Sequence, residues 1–121
     1  MHENERKLRD LFDTIDRGEF DRFREFFAED VFYERPAYPP LTGVEDLIRF
    51  YRDERIIASG QHMPEHVVAN EACGAAWGRY QGVTRTGEPI DVIWADVYSF
   101  DDRGLIKSRR GYFFQKAGKR L

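Results

Sequence analysis

The chain has 121 residues, 41% of them hydrophobic, with ten Phe, six Tyr and two Trp. That suits a single domain over residues 1–121 with one core, and it excludes a disordered chain. A net charge of −3 provides no basic excess for nucleic acid, and the lone Cys73 excludes an internal disulfide framework.

Basic residues are interleaved with acids except in the terminal "KRL", and no window is long and apolar enough to span a membrane. The N-terminal "MHENERKLRD" is too charged for a signal peptide. These features predict a cytoplasmic protein with neither nucleic-acid nor membrane partners.

Leu8, Leu11, Phe12 and Ile15 recur at helical spacing and Gly18 supplies a stop, which predicts a first helix. "EFDRFREFFAED" predicts a second, short helix with Phe20, Phe23, Phe26 and Phe27 on one side. "VFYER" reads as a short strand closed by the proline-rich "PAYPPLTG". Thr42 and Glu45 fit a capping box for a third helix that turns Val44, Leu47, Ile48 and Tyr51 inward. Strands follow near residues 61–69, 72–85, 88–101 and 105–115, separated by the turns "NEA", "RTGEP" and "DDRG". Helices first and an antiparallel meander second is an α+β pattern, with an aromatic sheet curling around the helices.

In "IDVIWADVYSF", residues 90–100, every second side chain is large and apolar except Asp96. Two readings stand. Asp96 forms a buried ion pair with Arg109 or Arg110 on the next strand. Alternatively, an apolar cleft keeps Asp96 protonated, so that it donates to a carbonyl oxygen and stabilises a developing enolate.

Three segments carry a family resemblance: "DRGEFDRFREFFAEDVFYERPAYPPLTGVEDLIRFY", "VVANEACGAAW" and "DVIWADVYSFDDRGLIKSRRGYFF". Their order and spacing resemble the nuclear transport factor 2-like superfamily, and within it the ketosteroid isomerases and SnoaL-like polyketide cyclases. The resemblance implies a cone-shaped fold, a curved antiparallel sheet packed on N-terminal helices, often dimeric, with a deep pocket. It places Asp96 on the protonated acid of the isomerase oxyanion hole. The isomerase's catalytic Tyr falls on Leu11 and its Asp base on Arg35, which stays protonated and cannot act as a base. The last-strand acid of the cyclase and epoxide hydrolase branches falls on Gly111.

On the same alignment Tyr33, Arg35, Trp94, Asp96, Tyr98, Arg109 and Phe113 face the cavity, together with the alternating run Gly74, Ala76, Gly78 and Tyr80. The small residues of that run either leave extra room or let a helix pack close. Arg35 and Arg109, if both point inward, bind a carboxylate or enolate on the ligand. Arg35 reaching the rim to solvate its head is the other possibility. His62 and His66 share a strand face but provide too few ligands for a metal, and no cofactor is expected. His62 suits a proton shuttle, or is an ordinary strand-end histidine. Cys73 reads as packing.

The leading expectation is a small enzyme acting on a hydrophobic, polyketide- or steroid-like carbonyl compound by isomerisation, cyclisation or related proton transfer. Asp96 would be the donor and His62 or Tyr33 the second acid/base group. Trp94, Tyr80, Tyr98 and Phe113 would form the walls, with Arg35 and Arg109 on the ligand. The alternatives are a non-catalytic small-molecule-binding domain and an interaction module on the convex sheet face. Trp77 and Ile93 on that face fit a protein partner or the homodimer that the resemblance implies.

Overall fold

The computed structural model of the chain describes residues 1–115, so the basic "KRL" tail lies outside the described residues. Helix α1 (Glu3–Asp16) forms where the apolar spacing predicted it. Its start is capped reciprocally: His2 Nδ1 accepts from the Asn4 N–H at 3.0 Å, and Glu5 accepts from the His2 N–H at 2.8 Å. Leu8, Leu11, Phe12 and Ile15 are all buried on one face, each worth about 1.5–3 kcal/mol of transfer free energy. Gly18, at φ 73°, turns the chain out of the helix.

The second helix is only a 3-10 stretch, Phe20–Glu25, and strand β1 (Phe27–Glu34) begins where helix was expected to continue. Tertiary pairing decides this segment: the Phe26 carbonyl accepts from the Ile106 N–H at 2.8 Å, and β1 then pairs with the last strand. The predicted Thr42–Glu45 capping box is also absent. Thr42 belongs to the two-residue β2 (Leu41–Thr42), paired with Phe32, so Gly43 at φ 92° takes the cap position of α2 (Val44–Arg49). Helix α2 runs on into a π turn, Phe50–Glu54, closed by the Arg55 N–H donating to the Phe50 carbonyl at 2.9 Å.

The four predicted strands are present as β3 (Ile57–Ala69), β4 (Cys73–Thr84), β5 (Pro89–Phe100) and β6 (Ile106–Gln115). They form an antiparallel meander in a six-stranded sheet of order β2-β1-β6-β5-β4-β3. The sheet is mixed rather than wholly antiparallel, because β1 runs parallel to β6. Helix α2 carries the chain from β1 to β3 on the opposite edge, and the meander returns β6 alongside β1 in the same direction. The helices cover one face of this curved, unclosed α+β sheet, and the core lies between them. Among the described residues no helix is long and apolar enough to cross a membrane.

The small run on β4 adds no space. A Cβ at Gly78 would collide with the Met63 carbonyl oxygen and lie 2.8 Å from Pro64 Cα, and one at Gly74 would meet Ala69 Cβ at 3.0 Å and Leu8 Cδ1 at 3.3 Å. Close packing is therefore the reading that holds, with the β3 backbone as the main neighbour. Cys73 is exposed rather than packed. On the outer face Trp77, Ile93 and Val97 are exposed.

Candidate active site

Alternation along β5 turns Trp94, Asp96 and Tyr98 to the helix-covered face, opposite Phe113, Gly111 and Arg109 of β6. Asp96 is 1% exposed, and four hydrogen bonds end on its Oδ2. Trp94 Nε1 donates at 3.0 Å, Tyr98 OH at 2.8 Å, and Arg109 through Nη2 at 2.9 Å and Nε at 3.3 Å. Of the two readings of this acid, the geometry is that of the ion pair with Arg109, and a free protonated donor is not what it presents. Arg110 points to the other face and pairs with Glu34. Gly111 makes the room: a Cβ there would lie 3.0 Å from Asp96 Oδ1.

Arg109 uses its remaining Nη1 to donate to Tyr51 OH at 3.0 Å, and its guanidinium lies 4.6 Å from the centre of the Tyr33 ring. Burial disfavours the Arg109 charge, but Asp96 together with Tyr33, Tyr51 and Tyr98 outweighs it and holds the Arg109 pKa well above the ordinary value. Burial, reinforced by the Asp96 charge, likewise raises the Tyr98 phenol. Tyr33 is raised by burial against the pull of Arg109, so it keeps its proton. Tyr51 goes the other way. Burial opposes its phenolate, yet the charges of Arg109, Arg35 and Arg55, with a hydrogen bond to Tyr33, bring the phenol below its ordinary value. Tyr51 sits in the π turn after α2, an irregularity that recurs at functional sites.

His62 stands on the same cleft, from β3. Its Nδ1 meets Asp16 Oδ1 at 2.6 Å, and its backbone N–H donates to Asp16 Oδ2 at 2.8 Å. With the carboxylate as acceptor, Nδ1 carries the hydrogen, and in the neutral tautomer that leaves the lone pair on Nε2. Phe12 stacks on the ring at 5.0 Å, while Tyr80 and Trp94 approach it edge-on at 4.7 and 5.2 Å. His66 does not share this face. A bulge between Pro64 and His66 flips the strand, so His66 lies outside against Trp77 at 5.1 Å.

These side chains enclose a cleft of about 30 Å³. That is room for a few water-sized groups at most, where small-molecule pockets run to ~300–1,000 Å³. The deep apolar pocket implied by the resemblance is here narrow, and its walls carry three arginines. Of the residues expected to line it, Tyr33, Arg35, His62, Tyr80, Trp94 and Asp96 do so, as do Arg109 and the partly exposed Phe113. Tyr98 does not; it lies behind Asp96, holding the carboxylate.

Tyr51 and Arg55 line the cleft as well, and Asp16 orients His62 from behind, yet no sequence pattern marked any of them as site residues. Asp16 left one faint signal. It is an acid in the last turn of α1, which has no basic residue to favour the helix dipole there.

No sequence match was found among curated proteins. Solved structures share the fold over more than nine-tenths of the chain. An NTF2-like protein from Burkholderia pseudomallei K96243 superposes with a TM-score of 0.83 at 17% identity, over 94% of this chain and 92% of the other. The epoxide hydrolase/cyclase-like enzyme SalBIII, with a role in pyran ring formation in the polyether salinomycin, gives 0.79 at 16% identity, over 92% and 90%. An LEH-like epoxide hydrolase from M. tuberculosis gives 0.78 at 16% identity, over 92% and 82%. At these identities the likeness shows the nuclear transport factor 2-like fold alone. The family model described as SnoaL-like domain matches residues 8–109, and with most of its length inside that match the chain belongs to the SnoaL-like domain family.

Proposed function

We propose that the protein catalyses proton transfer at a carbon next to a carbonyl group, in an isomerisation or cyclisation. The observation that carries this reading is the Asp16–His62 contact, which fixes the imidazole on the wall of a cleft also lined by three buried phenols, Tyr33, Tyr51 and Tyr80. His62 Nε2 takes the proton from the α-carbon. The electron pair of the broken C–H bond forms the enolate double bond, and charge moves onto the carbonyl oxygen. Tyr33, held protonated by burial, donates to that oxygen. The imidazolium returns its proton to a second carbon, so no co-reactant is consumed.

Asp96 acts here as a positioning residue. It holds Arg109, which in turn holds Tyr51, in place of the donor role expected from the sequence. The SnoaL-like match and the cyclase-like neighbour support a polyketide-type carbonyl substrate. The narrow cleft takes only its reacting fragment, and a larger body must displace the half-exposed Phe113 at the rim. On the outer face Trp77, Ala95 and Tyr112 lie in register across β4, β5 and β6, flanked by Ile93 and Phe114. This largely exposed apolar strip supports the homodimer.

The test is deuterium exchange into the α-positions of 2,4-pentanedione, followed by proton NMR. His62→Ala should cut the protein-dependent rate by about 10²–10⁴-fold. Asp16→Asn should cut it less, since the ring stays and only its orientation and charge support are lost. A wild-type rate no faster than buffer on this diketone and on a keto acid alike, or a His62→Ala rate equal to wild type, would leave a binding domain without catalysis.

A further inference from the structure

Three arginines line the cleft, and among the described residues only Arg109 is paired with an acid. Arg55 is 5% exposed, yet its Nε has no acceptor, and the buried Nε of Arg35 has none either. Among the described residues neither guanidinium forms an ion pair or donates a hydrogen bond. Aromatic rings flank them instead. Arg55 lies 4.5 Å from the Tyr51 ring centre and 5.4 Å from that of Phe20. Arg35 lies among Phe50, Phe113 and Tyr38 at 5.2 to 5.5 Å. Rings satisfy the faces of a guanidinium and leave its in-plane N–H donors open.

A buried cation whose donors lack acceptors is costly to keep unless something supplies the missing charge. Burial already pulls the Arg55 pKa below its ordinary value. Both side chains face the one cleft that His62 also lines.

We infer that Arg55 and Arg35 form an anion subsite for a carboxylate on the substrate, which makes the substrate class a keto acid and not a neutral ketone. A carboxylate is flat and accepts along two parallel N–H bonds, which suits a guanidinium edge and a narrow cleft better than a tetrahedral anion does. The sequence pointed to Arg35 and Arg109 for this task. Asp96 and Tyr51 occupy Arg109, and Arg55, delivered by the π turn, takes its place. Tyr80 meets the His62 ring edge-on at 4.7 Å, and His62, Tyr80 and both arginines line the same narrow cleft. A carboxylate on the arginines would therefore leave the α-carbon of a short keto acid toward His62. The reaction at that carbon rests on the proton-transfer reading above; the anion subsite does not.

The experiment is calorimetric titration of wild type, Arg55→Met and Arg35→Met with 4-oxopentanoate and with its methyl ester, at constant ionic strength. Wild type should bind the acid at least about tenfold more tightly than the ester, the scale of one charge-assisted bond to a buried partner. Both variants should lose that preference and keep the ester affinity. If Arg55→Met does not fold, Arg35→Met reads the same preference. Equal affinity for acid and ester in wild type, a preference that persists in the folded variants, or no binding of either probe overturns the subsite. Exchange catalysed on neutral 2,4-pentanedione with no preference for the acid sinks this inference and leaves proton transfer standing. Preference for the acid without exchange at its α-carbons does the reverse.

Discussion

Arg109 and Arg55 are buried to the same degree, 3% and 5% exposed, on walls of one cleft, yet their surroundings are built to different ends. Each of the three nitrogens of the Arg109 guanidinium has a partner: Asp96 for Nε and Nη2, Tyr51 for Nη1, with Trp94 and Tyr98 donating to the same Asp96 oxygen. Around Arg55 the rings are in place, and among the described residues its buried Nε finds no acceptor. Burial alone would rank the two arginines together. Satisfaction separates them: a finished polar network belongs to the scaffold, and an unfinished one marks where something else must bind.

The largest effect should come from breaking the finished side. Arg109→Met leaves the Asp96 carboxylate buried with only Trp94 and Tyr98, and removing one partner of a buried pair costs about 3–5 kcal/mol. Arg55→Met deletes a buried charge that has no partner among the described residues, so its stability should stay within about 1 kcal/mol of wild type or exceed it. Urea denaturation of the two variants side by side tests the contrast. Equal losses would make Arg55 as much a part of the scaffold as Arg109.

A smaller effect should follow Gly111→Ala. The new Cβ would sit 3.0 Å from Asp96 Oδ1 with Tyr33 OH at 3.8 Å, so the carboxylate must shift while four hydrogen bonds hold its other oxygen. Overpacking of this kind costs about 1–3 kcal/mol. The urea midpoint reads it. A midpoint equal to that of wild type would mean that the Asp96 cluster has slack that its four hydrogen bonds do not suggest.

The same division explains what could be read from the amino-acid order. Asp96 and Arg109 were visible because alternation sets the face of β5 and a short turn sets the register with β6, both local rules. The meander and the buried face of α1 were visible for the same reason. Residues 26–30 were not, because pairing with β6 overrode a helical pattern, and Thr42 was not, because β2 claimed its backbone. The unfinished side of the cleft depends on irregularities. A π turn breaks the helical count that would place Tyr51 and Arg55, a bulge separates His62 from His66, and Asp16 finds His62 across 46 residues of chain.

The smallest effect is a pH dependence, and Tyr51 carries it because both sets of arginines act on its oxygen. Its phenol is lowered in the native state, so the folded protein releases that proton before the unfolded chain does, and stability rises with pH where the unfolded state holds more protons. The Tyr51 contribution is therefore complete above ~10, the ordinary phenol value, and is lost as pH falls through the lowered native value. Tyr33, Tyr80 and Tyr98 are raised, so their contributions are complete below ~10 and are lost only as pH climbs through their native values. From neutrality to ~10, Tyr51 is thus the phenol whose native titration changes stability. Over that window wild type should gain stability relative to Tyr51→Phe, and the phenolate absorbance of wild type should include a component that the variant lacks. A carboxylate bound at Arg35 and Arg55 would neutralise two of the three guanidiniums acting on Tyr51 and should push that component back toward higher pH. If the component stays in place while the acid binds, the anion lies elsewhere; if it never appears, Asp96 cancels Arg109 so fully that the free arginines do not reach the Tyr51 oxygen.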